Sequence, residues 1–560
     1  MKRWLTLAAL VAGGTSWYML VPDPPVVLSV GAGGDARPVR GAIHVHTRRS
    51  DGTGTVEDVA AAAQRAGLQF VIFTDHGDAT RGSDTPVYRG GVLCIDAVEI
   101  STNDGHVVAL GLPQSPFPLG GEVGDVIEDV QRLGGMSIAA HPDSTRPDLR
   151  WTKWDAPFDG LEWLNGDSQW RDESWSTLGR SLLTYPFSPV STLAALLDRP
   201  DDLMKQWDTL LRSRSVVAVA GVDAHARIGP GRESSRRSVS LHVPSYEQSF
   251  RALSISLPDA QLHGNALDDA RTVVEALRSG HLYSSVDGLA APAVFGFTAT
   301  SGAHRAQMGD RLPLDGIVAL RAQAHAPAGS SIRLLMDGTT VASAPPPVLE
   351  FVAPPNPGVY RVEIDVAGSP GRPPVPWIVS NPIYVGLKPV AVSPAAPALV
   401  SESRAVYADG PANGWRIEKS VRSEGVIGNT KSISGTELLL RYGLGGTLSE
   451  SPYVAAVVDA GSDLPRFDRV VFTGRAIKPM RLTIQLRAPD DGDRRWGRSV
   501  YLDETARTVT IALAELLPLG TATGSPPLGD VRDLLFVVDT VHSKQGASGQ
   551  VWLDDIRYVR

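Results

Sequence analysis

Short apolar runs that each give way to a histidine or a carboxylate recur five times between Gly41 and His225, and this rhythm constrains the fold more than any other feature of the chain. Ala42-Ile43 leads into His44-Val45-His46, Leu68–Phe73 into Thr74-Asp75-His76, and Gly91–Ile95 is followed by Glu99. Met136–Ala140 runs into His141-Pro142, and Val216–Ala220 into Asp223 and His225. Helical patterns separate several of these runs. One opens at Thr55-Val56-Glu57-Asp58, a capping-type start, and ends at Gly67; another covers Asp125–Leu133 and stops at Gly134-Gly135. Repeated βα units of this kind predict an α/β fold, in which strand C-termini share one rim where catalytic groups collect. Gly166–Leu211, rich in tryptophan and polar residues, breaks the rhythm and reads as an insertion overhanging the site.

The residues at the strand ends are metal-ligand types. His44 and His46, two apart on a strand of Ala42–His46, would project to one face and share a cation. Asp51, in the turn Ser50-Asp51-Gly52, can swing back over that strand end. With His76, Glu99, His141, Asp223 and His225 the set suffices for a multinuclear site, in which Glu99 is placed to bridge two cations. Asp75 is expected to orient a histidine, since metal-bound imidazoles donate their other N–H to such a group. Cys94, the one cysteine, reads as packing in a buried strand, and His242, His263, His281, His304, His325 and His542 are assigned no role.

His44-Val45-His46, Ser50-Asp51-Gly52, Thr74-Asp75-His76, Glu99, Ala140-His141-Pro142 and Gly221-Val222-Asp223-Ala224-His225 resemble, in order and spacing, the PHP superfamily named for polymerase and histidinol phosphatase domains. Pro376-Trp377-Ile378-Val379-Ser380-Asn381-Pro382 and the long C-terminal extension are similar to its carbaryl-hydrolase-like branch. The resemblance implies a distorted, TIM-like (β/α)7 barrel over roughly residues 38–290, holding two or three divalent ions of Zn, Mn or Fe. It places His44, His46, Glu99 and Asp223 on the first ion, Glu99 and His141 on the second, and Asp51, His76 and His225 on the third. His106 is the available further ligand for the second, and Glu162 ends a strand where it could support the ligands.

Clustered divalent cations activate water, so hydrolysis is the expected chemistry. A small-molecule phosphate ester fits best, with a hydroxide held between the ions, His76 or His225 serving the leaving group, and Arg48, Arg49 or Arg227 near the anion. Hydrolysis of a carboxylic or carbamic ester is the alternative chemistry. Beyond Ala290 the pattern changes to short alternating runs between prolines and glycines, predicting an Ig-like β-sandwich over residues 291–387. After a Pro/Ala-rich linker at residues 388–398, a jelly-roll sandwich resembling the galactose-binding folds of carbohydrate-binding modules is expected over residues 399–560. Its Trp415, Trp496, Tyr501 and Trp552 are the candidates for carbohydrate contact, and an exported glycan-binding protein with an inactive barrel is the reading from another class. The net charge of −8 offers no reason to expect nucleic acid. Lys2-Arg3 ahead of the apolar run Trp4–Val21 reads as an export signal or membrane anchor within residues 1–25, placing the domains outside the cytoplasm.

Overall fold

The computed structural model describes residues 21–29, 37–227, 243–388, 402–432, 435–488 and 494–560. The expected export segment through residue 20, nearly all of the linker, and His242 lie outside these residues. Among the described residues no helix is long and apolar enough to cross a membrane. The chain forms two compact units, one of Met1–Pro113 with Glu122–Ala391, the other of Gln114–Gly121 with Val392–Arg560.

In the first unit, β1 (Val39–Ile43), β2 (Phe70–Phe73), β3 (Val87–Arg89) and β4 (Val92–Asp96) are followed by β5 (Val98–Thr102), β6 (Gly105–Leu110), β7 (Met136–Ala140), β8 (Gly160–Asn165) and β9 (Val217–Gly221). β10 (Ser254–Leu257) and β11 (Tyr283–Ser285) complete the part that carries the site. Between them lie α1 (Val56–Ala66), α2 (Val123–Arg132), α3 (Gly166–Arg171), α4 (Trp175–Thr184), α5 (Pro189–Ala194), α6 (Asp201–Leu211), α7 (Tyr246–Ala252) and α8 (Ala266–Ser279). The start of α1 follows the sequence: Thr55 and Asp58 form a reciprocal capping box, and Gly67 closes the helix in the left-handed conformation.

The (β/α)7 barrel expected here is not what the chain forms. Over all the described residues strand outweighs helix, 40% against 17%. The strands fall into two hydrogen-bonded sheets, one ordered β9-β8-β7-β6-β5, the other containing β11-β10-β1-β2-β4-β3. β1, β2 and β4 are parallel, as are β7, β8 and β9, but β5–β6, β6–β7, β3–β4, β10–β1 and β10–β11 are antiparallel. The reason is local. Between Val87 and Leu110 the chain turns back twice without a helix, at Gly90-Gly91 and at Asn103-Asp104, where Gly105 takes φ 114°. Tight turns make hairpins, and hairpins make antiparallel pairs. The two sheets meet through isolated bridges at Val45–Ala224 and His76–Glu99, beside the candidate ligands.

The second of these sheets does not stop at residue 290. β11 pairs antiparallel with Ile378–Ser380, and the sheet continues through Gly358–Asp365 to Ile383–Val385. Asn381, in the motif Pro376–Pro382, works across to β9, the edge of the five-stranded sheet. Its Oδ1 accepts from the Ala218 N–H at 2.8 Å, and its Nδ2 donates to the Ala218 carbonyl at 2.9 Å. Charged residues join α6 to the same sheet: buried Arg361 donates to Asp208 at 2.7 and 2.8 Å and to Glu363 at 2.6 Å. The C-terminal unit is a β-sandwich, as its alternating pattern predicts, with two six-stranded sheets over one apolar core.

Candidate metal centre

All nine sequence-derived ligand candidates come together. They fall into four overlapping groups: His44, His46 and Asp223; His44, Glu99 and His141; His76, Glu99 and His106; and His46, Asp51, His76 and His225. Glu99 connects them. Its Oε2 lies 3.2 Å from the Nε2 atoms of both His44 and His46 and from Nδ1 of His76, while its Oε1 is 2.9 Å from His141 Nε2 and 2.7 Å from His106 Nδ1. Asp223 Oδ1 stands 3.4 Å from each of the same two Nε2 atoms of His44 and His46. Asp51 reaches His225 Nε2 at 3.2 Å and His46 Nδ1 at 3.4 Å. The group around Asp51 is the more open, since the side chains of His76 and Asp51 are 36% and 49% exposed.

His44 and His46 do not converge by strand alternation, as their spacing predicts. The strand ends at Ile43, and His44 has φ 67°. His141 and Asp223 likewise have positive φ, 30° and 49°, beyond the ends of β7 and β9. Left-handed backbone in non-glycine residues costs on the order of 1–3 kcal/mol each, and such strain gathers at functional sites. Here it turns three side chains off their strand directions into one cavity.

The hydrogen bonds behind the rings leave lone pairs facing inwards. His44 Nδ1 donates to Glu162 Oε1 at 2.6 Å, His225 Nδ1 to the Asp223 carbonyl at 3.0 Å, and His141 Nδ1 to the Leu149 carbonyl at 3.3 Å. His46 Nδ1 donates to Ser50 Oγ at 3.3 Å, because the Ser50 hydroxyl gives its proton to Asp75 at 2.7 Å. With Nδ1 engaged in each case, Nε2 is the inward-facing atom of all four rings; it has no hydrogen-bond partner among the described residues in His44 and His46, and lies 2.9 Å from Glu99 in His141 and 3.2 Å from Asp51 in His225. Glu162 is itself held by the His141 N–H at 2.7 Å and by Asn165 Nδ2 at 2.8 Å. Gly221 is required for this arrangement, since a Cβ there would fall 1.9 Å from Glu162 Oε1.

Asp75 corrects the sequence reading. It contacts no histidine ring and instead accepts from the Thr47 N–H and hydroxyl, both at 2.7 Å, as well as from Ser50. The turn after His46 brings those donors to it first, so Asp75 shapes the loop that carries Asp51 and reaches His46 only through Ser50. Arg49 pairs with Asp84 and Asp96, and Arg48 with the Thr53 carbonyl, while Arg227 lines the cavity. His304 has a partner its sequence context did not reveal, Asp315 at 3.0 Å, and His281 has Asp310 at 2.9 Å. Trp415 and Trp496 belong to the sandwich core, Tyr501 packs near Phe117 with ring centroids 6.2 Å apart, and Trp552 lies under Arg475 at 4.0 Å.

The electrostatics reflect three acids in one pocket. Burial alone would depress His46, but its contacts with Asp223 and Glu99 push it up to about 10. His44 is also raised against its burial by Asp223, Glu162 and Glu99. Burial opposes ionisation of Glu99 and Asp223, yet the surrounding imidazoles hold both carboxyls well below their usual range. Burial outweighs Glu99 at His76 and lowers it. The fit to cations is carried by three atoms. His44 Nε2, His46 Nε2 and Asp223 Oδ1 are fully buried and have no hydrogen-bond partner among the described residues, an arrangement that costs free energy unless a further group satisfies them. Two imidazole nitrogens and a carboxylate oxygen, with Glu99 Oε2 beside them, make the donor set of a zinc- or manganese-type ion.

The cavity over this centre has a volume of about 340 Å3. Sequence reasoning missed Arg146, Asp148, Asp167 and Arg171 on its wall. Asp167 and Arg171 sit on α3, at the start of the insertion expected to overhang the site, and that expectation was the one signal for them. Arg146 follows His141 in the loop after β7, where no spacing marks it.

No family model matches the chain, and no curated protein does. Among solved structures it is similar to the family 11 carbohydrate-binding module of the cellulosomal cellulase Lic26A-Cel5E of Clostridium thermocellum, at 14% identity over 29% of this chain and 96% of that one, with a TM-score of 0.25. The family 30 carbohydrate-binding module of cellulase Cel9D-Cel44B of the same organism matches at 14% identity over 28% and 96%, with a TM-score of 0.22. The mannan-recognising module TmCBM27 matches at 13% over 30% and 99%, with a TM-score of 0.20.

Proposed function

We propose that the protein is a metal-dependent hydrolase, with phosphate esters as the preferred substrate class. The observation that carries this reading is the set of buried, unpartnered atoms His44 Nε2, His46 Nε2 and Asp223 Oδ1 converging beside Glu99. Two or three divalent ions of Zn, Mn or Fe, held by His44, His46, Glu99 and Asp223, by His141 and His106 with Glu99, and by Asp51, His76 and His225, would supply water activation and charge neutralisation. The chain's own part is positional. Glu162, Ser50 and two main-chain carbonyls hold the imidazoles in one tautomer, and the strained backbone at His44, His141 and Asp223 sets their direction. Arg146 and Arg171 on the cavity wall are the side chains suited to a phosphoryl oxygen. The site motifs' resemblance to the PHP superfamily supports the same reading.

The test is elemental analysis of the purified chain followed by assay against aryl phosphates and aryl esters. About two to three equivalents of bound metal with phosphate release is expected. His44→Ala and Asp223→Asn should each abolish turnover in a folded chain. A chain that takes up no metal and hydrolyses nothing with added Mn or Zn overturns the proposal, and naphthol release without phosphate release selects the carboxylic or carbamic ester chemistry.

Glycan binding by the C-terminal unit is the second reading. Trp552 and Asp554 lie on the face of Ser548–Val559 away from the core, with Arg475 over the indole and Glu437 paired to it at 2.7 Å. An aromatic ring beside charged hydrogen-bonding groups is the chemistry that holds a sugar. Retention on β-glucan or mannan gels that is lost in Trp552→Ala tests it independently of the metal centre.

A further inference from the structure

The insertion Gly166–Leu211 builds a second cavity, of about 650 Å3 and far more apolar than the first. Trp170, Trp175, Leu178, Leu182, Tyr185 and Leu193 line it. Arg146 and Arg171 belong to the walls of both cavities, so the apolar space adjoins the candidate metal cavity at these two guanidinium groups. Both arginines are anchored, Arg146 to Asp148 at 2.6 Å and Arg171 to Asp167, and the Arg171 guanidinium stacks 4.4 Å over Trp170. They stand at the junction of the two cavities. α4 is unusual for a helix of ten residues, since Thr184 is its one buried residue. Its apolar residues stay near the surface: Trp175 is 90% exposed, Leu182 55% and Leu183 54%. Apolar area left in water this way costs free energy that an apolar ligand would recover.

We propose that this cavity receives the hydrocarbon chain of an amphiphilic phosphate ester whose headgroup lies over the metal centre, Arg146 and Arg171 marking the boundary between the two. The inference rests on the hydrolase reading for the headgroup chemistry and on the insertion's geometry for the chain. In the reaction the oxygen of water bonds to phosphorus as the phosphorus–oxygen bond to the leaving alcohol breaks. The leaving oxygen keeps that electron pair, and the two water protons pass to the leaving group or to solvent.

The experiment uses the full metal-loaded chain with p-nitrophenyl alkyl phosphate diesters bearing methyl, hexyl and dodecyl chains, below their micellar concentrations. We expect kcat/KM to climb along the series, by up to about fourfold for each methylene buried, and Leu178→Asp and Leu182→Asp each to flatten the climb. Leu182 is half exposed, so its substitution tests the cavity without disturbing a core. Equal kcat/KM for all three esters would overturn the inference and leave the hydrolase reading standing. Binding of the alkyl-chain probe dansylundecanoate is measured in parallel. Should none of these diesters be hydrolysed, the diester headgroup chemistry fails while the hydrolase reading is decided by the aryl phosphate and aryl ester assays, and probe binding weakened at least tenfold by both substitutions still supports the chain site. A probe that does not bind, or binds the variants equally, overturns it.

Discussion

Glu162 is the residue on which the geometry of the candidate metal centre leans most. Its two oxygens hold the His44 ring and the His141 main chain at 2.6 and 2.7 Å, although it offers no atom to the ligand groups themselves. Carboxylates that orient a metal-bound imidazole typically account for 10- to 100-fold in affinity, so Glu162→Gln should weaken metal binding by roughly that factor. Gly221→Ala should do the same without touching a charged group, because its methyl group would occupy the place of Glu162 Oε1. Competition with a fluorescent chelator measures both variants. Unchanged affinity in Gly221→Ala would mean that Glu162 moves without consequence and that the tautomer is fixed elsewhere.

At the scale of elements, sequence periodicity located several strands and helices but not their pairing. Thr55, Asp58 and Gly67 announced both ends of α1, because caps are local chemistry. The hairpin turns at Gly90-Gly91 and Asn103-Asp104 were equally local, yet reading repeated βα units across them produced a barrel where the chain makes antiparallel pairs. The cluster of nine candidate residues was legible because histidines and carboxylates recur in or just after the strands and their turns. The left-handed turns at His44, His141 and Asp223 that aim them left no trace, since φ at a non-glycine residue has no composition signal. The join between α6 and the neighbouring sheet was also hidden. Its cost of removal is testable: Asp208→Ala takes away one of the two carboxylates paired with buried Arg361 and leaves its Nε without an acceptor, which should destabilise the unit by about 3–5 kcal/mol in urea denaturation. A loss below about 1 kcal/mol would show that Glu363 alone suffices for Arg361.

For the whole molecule, two units with separate cores should respond to different variables. The ions proposed for the N-terminal unit would stabilise it by mass action, so a chelator should lower one calorimetric transition by several degrees and leave the other in place. Acid should act on the second. His542 is buried in the C-terminal unit, and burial, with Arg481 nearby, pushes its imidazole down to about 3 from an unfolded value of 6.5. The unfolded chain then binds a proton that the folded one refuses. Stability from this residue is therefore intact above pH 6.5 and falls towards pH 3, by on the order of 5 kcal/mol in all. His542→Gln should flatten that slope, and a parallel slope in the variant would assign the acid sensitivity to other groups. The side chain of Asn381 closes the outer rim of β9 by taking over Ala218's N–H and carbonyl, the two groups that a further strand would otherwise claim. A chain ending at Ala290 would lose this plug and also leave β11 without its neighbour, presenting two raw borders to other molecules. Self-association through those borders, rather than simple unfolding, is the fate expected of such a fragment.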